Sequence, residues 1–144
     1  MTKPLCFVLM PFGRKPNASG AIVDFDAVYG ELVKPAIERA GLEPLRADEE
    51  QAGGIIHKAM FERLLICEFA VADLTTANAN VFYELGVRHT ARPFATVAIY
   101  AEGEAPKFDV NLLRLIPYKL GPDGAPAEAA KAIAAIENRI KTAL

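Results

Sequence analysis

Apolar positions along this chain fall into short continuous runs, separated by polar stretches rich in Gly and Pro. The first run, Leu5-Cys6-Phe7-Val8-Leu9-Met10, is stopped by Pro11-Phe12-Gly13, as expected of a strand buried on both faces. Residues 13–23, with Arg14, Lys15, Pro16, Asn17 and Gly20, have loop composition. Asp24 can cap a helix from Phe25 to about Ala40 that Gly41 terminates, and Pro35 implies a kink or a shorter first helix. Leu42 to Ala47 reads as a short second strand, and the polar segment from Asp48 to Gly54 leads into a helix from Ile55 to Cys67. Phe69-Ala70-Val71-Ala72-Asp73 is the third strand, apolar until its last residue, and a helix follows from about Asn80 to Thr90. Phe94 to Tyr100 supplies a fourth strand, Ala101 to Asp109 a loop, Val110 to Leu115 a short helix, and Ile116 to Leu120 a fifth strand. After the Gly-Pro-Asp-Gly turn, Pro126 opens a last amphipathic helix.

Strands alternating with helices predict an α/β fold with a central, mostly parallel sheet of about five strands covered on both sides, because each right-handed crossover lays its helix on a face. The length of 144 residues and 52% hydrophobic content suit one packed domain spanning residues 1–144. Sixteen basic against eighteen acidic side chains give a net charge of -2, so nucleic acid is not the expected partner. The first apolar run is too short for a secretory core or a membrane span, which points to a cytoplasmic protein with no membrane partner. Cys6 and Cys67 sit among apolar neighbours without metal-ligand spacing and read as reduced core thiols.

In an open parallel sheet, ligands bind beyond the carboxyl ends of the strands where the strand order reverses. The candidate polar groups fall there: Pro11, Phe12, Gly13 and Arg14 after the first strand, Asp48 and Glu49 after the second, and Asp73, Thr75, Thr76, Asn78 and Asn80 after the third. Asp73 either bonds nearby backbone N–H groups or faces a ligand hydroxyl. Asn78 or Asn80 can cap the following helix. Glu84 lies one turn beyond Asn80 on the same face, where both can point at one ligand, or Glu84 can pair with Arg88. Gly86, costly inside a helix, suggests close approach by another group. Tyr83 is either an aromatic wall for a base or sugar, or a buried tyrosine with a satisfied hydroxyl. His57 and His89 suit helix-end or surface roles, and no spacing supports a metal site. The chain lacks a G-x-G-x-x-G fingerprint, a Walker loop and a G-x-S-x-G elbow, so hydride transfer, P-loop chemistry and serine hydrolysis lose ground.

The run Asp73-Leu-Thr-Thr-Ala-Asn78-Ala-Asn80-Val-Phe-Tyr-Glu84-Leu-Gly86 resembles the group of nucleoside 2-deoxyribosyltransferase-like and TIR-like domains. Phe7-Val-Leu-Met-Pro11-Phe12-Gly13, Arg46-Ala-Asp48 and Gly54-Ile-Ile extend the likeness over about residues 5 to 100. The resemblance implies a three-layer flavodoxin-like/TIR-like fold whose helix glutamate, here Glu84, attacks or stabilises the anomeric carbon of a nucleoside. Pro11, Phe12, Gly13, Arg14, Asp48, Gly54, Asp73, Asn78, Asn80 and Tyr83 would then contact substrate. It implies a nucleoside, nucleotide or NAD as ligand, NAD being a substrate and not a cofactor, and no metal. It also leaves open a non-catalytic module that senses a nucleotide or binds a copy of itself or a partner signalling protein. Thr75-Thr-Ala-Asn78-Ala-Asn80 departs from the serine- and glycine-bearing stretch of the transferases, so substrate identity does not carry across.

Overall fold

The computed structural model describes residues 3–46, 66–76, 79–92, 95–103 and 115–143, without the side chains of Ala79 and Asn80. Six strands form one sheet: β1 (Leu5–Leu9), β4 (Glu43–Arg46), β5 (Phe69–Asp73), β6 (Thr96–Ala101), β7 (Ile116–Leu120) and β8 (Pro126–Ala127), in the order β4-β1-β5-β6-β7-β8. All neighbours run parallel except β8, which returns antiparallel beside β7. The protein is therefore α/β with a mostly parallel central sheet. The chain steps from β1 to β4 on one side and then to β5 on the other, so the order reverses between β1 and β5. That reversal parts the loops at their carboxyl ends.

Alternation along the strands divides the core. Cys6 and Val8 of β1 face one apolar cluster, and Phe7 and Leu9 face another. The first cluster is closed by α1 (Phe25–Val28), the widened turn Tyr29–Val33, α2 (Lys34–Arg39) and α4 (Ala129–Ala143). The second holds Val81 and Leu85 of α3 (Ala79–Ala91). Both cysteines are buried and unbridged, and burial pushes the Cys6 thiol far above its ordinary range, as expected of core thiols.

Asp24 caps the first helix as the sequence suggests, accepting from the Ala27 N–H at 3.1 Å. Pro35 does not end that helix. Its missing N–H and the bulk of its ring are accommodated one turn earlier, where the Lys34 N–H reaches back five residues to Tyr29 O.

Two expectations need correction. Residues 13–23 are not all loop: β2 (Arg14–Pro16) and β3 (Ile22–Asp24) pair as a hairpin, pinned where the Asp24 N–H donates to Gly124 O at 2.8 Å. Pro126 does not open the last helix; Pro126 and Ala127 form β8, and α4 begins at Ala129. Asp48, Glu49, Gly54, His57, Asn78 and most of the helices expected from Ile55 and from Val110 lie outside the described residues.

Candidate functional site

The carboxyl end of β1 continues into Pro11-Phe12-Gly13, and Gly13 adopts φ +68, a left-handed conformation that turns the chain into the β2–β3 hairpin. Arg46, the last residue of β4, holds this loop. It is buried, its Nη2 donates to Pro11 O at 2.7 Å, and its Nη1 donates to Asp26 Oδ1 at 2.9 Å. Its guanidinium lies 4.8 Å from the Phe12 ring centroid and 5.1 Å from that of Tyr29. The Gly13 N–H also donates to Asp26 Oδ1, at 3.1 Å. That hydrogen bond, followed by Arg46, holds the Asp26 carboxyl below its usual range. Pro11 is thus buried backbone scaffold, whereas Phe12 is 40% exposed at the rim. Arg14 is exposed on the hairpin and reaches Asp24 at 3.4 Å.

Asp73 ends β5 beside β1, buried at 2% exposure. Its Oδ1 accepts from the Thr75 N–H at 2.9 Å and lies 2.5 Å from Thr75 Oγ1; its Oδ2 lies 2.6 Å from the Tyr118 hydroxyl. Burial raises its pKa against these hydrogen bonds, which lower it. Of the two readings open for Asp73, the internal one describes its observed contacts.

The α3 helix packs on β1 and β5, with Val81 and Leu85 in one apolar cluster with Phe7, Leu9, Ala70, Ala72 and Leu74. Glu84 borders this inward face and is half-buried, and burial pushes its carboxyl up to about 7. The ion pair weighed for Glu84 and Arg88 is not where the guanidinium goes. Arg88 is fully buried and donates to Cys67 O, Glu68 O, Ala95 O and Thr96 Oγ1, tying α3 to the entrances of β5 and β6.

Tyr83 is 62% exposed on the outer side of α3, so the buried-tyrosine reading fails. Gly86 is also exposed, and among the described residues a Cβ there would meet nothing within 4 Å, contrary to the close approach its position suggested. A cavity of about 130 Å³, lined in part by Tyr118, Lys119, Glu128 and Lys131, lies at the β7–α4 edge, and neither Glu84 nor Asp73 lines it.

The fold thus brings Pro11, Phe12, Gly13 and Asp73 to adjacent strand ends, with Glu84 on the helix packed against β1 and β5. Arg14 and Tyr83 lie on outer surfaces. Asn80 falls in the first turn of α3. Arg46 and Tyr118 were not singled out from the sequence as site residues, although an arginine closing the second strand was a readable signal for the first; Thr75 was expected at the rim beside Asp73. Among the described residues no cluster of His, Cys, Asp and Glu could hold a metal ion, and no helix is long and apolar enough to cross a membrane. Comparison with models of protein families and with curated proteins gives no match to this chain.

Proposed function

We propose that the chain is a three-layer flavodoxin-like/TIR-like domain, akin to nucleoside 2-deoxyribosyltransferase-like domains. It would act in the cytoplasm as an N-glycosidase or glycosyl-transfer domain on a nucleoside, nucleotide or NAD. The observation that carries this reading is Glu84: a half-buried carboxylate with its pKa raised to about 7, on the helix packed against β1 and β5, between which the strand order reverses. In the reaction, the bond between the base and the anomeric carbon breaks, its electron pair leaves with the base, and positive charge develops on the sugar. The Glu84 carboxylate either bonds that carbon or holds its charge, and water or a second base then takes the glycosyl group. Partial burial leaves the anion poorly hydrated, which strengthens its attraction for the developing cation. Phe12 and the backbone of Gly13 would border the substrate at the rim.

The second reading is a non-catalytic module that senses a nucleotide or binds a partner, favoured by the exposed rings of Phe12 and Tyr83. Glu84→Gln separates the two. Loss of base release with ligand binding retained supports the enzyme; no turnover in the parent and unchanged binding in the variant supports the module.

A further inference from the structure

Four side-chain oxygens and two backbone amides meet around Asp73. Besides the Asp73 contacts already given, Thr75 Oγ1 and the Tyr118 hydroxyl are 2.9 Å apart, and the Ala101 N–H donates to Thr75 Oγ1 at 3.0 Å. The three pairwise contacts among Asp73, Thr75 and Tyr118 are all at hydrogen-bonding distance, and each needs a proton. Thr75 and Tyr118 bring one each. An ionised Asp73 would leave the contact between the hydroxyls without a hydrogen. It would also bury a carboxylate for which the described residues provide no cationic partner, a costly arrangement. A carboxylic acid removes both difficulties. Asp73 Oδ2–H donates to Tyr118, Tyr118 donates to Thr75, and Thr75 donates to Asp73 Oδ1. Thr75 Oγ1 then accepts from Tyr118 and from the Ala101 N–H, which fills its capacity.

We propose that Asp73 is kept as the neutral acid at pH 7, closing a three-proton ring that fastens the ends of β5 and β6 to the middle of β7, and that it is a positioning residue for Leu74–Thr76 and not a ligand contact. Around it, β6 brings the Ala101 amide, β7 brings Tyr118, and β1 brings Leu9; among the described residues Tyr118 is the one titratable partner. The phenol stays protonated, its pKa raised first by burial. The direction found for Asp73 itself agrees. The proposal does not depend on glycosidase activity.

The test is carbon-detected NMR of the Asp73 side-chain carboxyl, assigned through the backbone of the parent protein, from pH 4 to 8. The expected result is a carboxylic-acid shift that stays unchanged past pH 7; a carboxylate shift at pH 7 overturns the proposal. Asp73→Asn, whose amide can donate to Tyr118 and accept from Thr75, should fold with a Tm within about 5 °C of the parent. Unfolding of that variant together with a carboxylate shift in the parent would show that the ring is built around an anion. Because neither readout uses turnover, failure here is distinguishable from failure of the glycosidase reading.

Discussion

Replacing Glu84 by Gln should stabilise the protein above neutral pH and leave it almost unchanged in acid. The carboxyl titrates near 4.5 in an unstructured chain and near 7 in the folded one, with burial as the cause. Between those values the folded state binds more protons than the unfolded state. The stability tied to protonated Glu84 is therefore full below about pH 4.5 and is lost as pH rises through about 7. Each pH unit of that interval corresponds to about 1.4 kcal/mol, an upper bound of about 3 kcal/mol, which partial solvent exposure reduces to about 2 kcal/mol. Glutamine keeps the shape of the neutral acid and removes the titration. Urea unfolding followed by circular dichroism at pH 5 and pH 8 should show the variant gaining about 2 kcal/mol on the parent between the two conditions. Other titrating groups, Asp73 included, are common to both proteins and cancel. A difference that is constant with pH, or a parent that gains on the variant as pH rises, would refute the burial of Glu84.

Three further substitutions probe the frame around the site. Gly86→Ala, at an exposed helical position with open space for a methyl group among the described residues, should stabilise by about 0.5–1 kcal/mol in the same urea assay. Arg88→Lys should cost about 3 kcal/mol or more in chemical unfolding, because one ammonium cannot reach the carbonyls of Cys67, Glu68 and Ala95 together with Thr96. Gly124 has φ +83, and a Cβ there would clash with Ile22 O. Gly124→Ala should therefore lower stability by about 2 kcal/mol and speed amide exchange in the β2–β3 hairpin.

What could be read from the sequence follows how local each signal is. Phe69–Asp73 was legible as a strand from its apolar run, and Ile116–Leu120 from its place before the Gly-Pro-Asp-Gly turn, with Ile116 and Tyr118 buried and Pro117 and Lys119 exposed. Asp24 declared its cap through the helix that follows it. The hairpin was hidden because Arg14, Lys15 and Pro16 are exposed and show no strand pattern; their pairing leans on a backbone contact from Gly124, far along the chain. The likeness around Glu84 placed that residue on a helix, but its half-burial depends on how α3 settles over β1 and β5. The contact between Asp73 and Tyr118 spans 45 residues, and no local pattern announces it. Glycine cost alone misled at Gly86, where no described residue approaches.

The most direct test of Glu84 as the reacting carboxylate is mass-spectrometric product analysis. The parent protein and Glu84→Gln would each be incubated with NAD and a panel of nucleosides and nucleotides. Release of free base by the parent alone, with a rate that rises as pH passes through about 7, is the expected result. Equal release by both proteins, or none from the parent at high protein concentration, would contradict it.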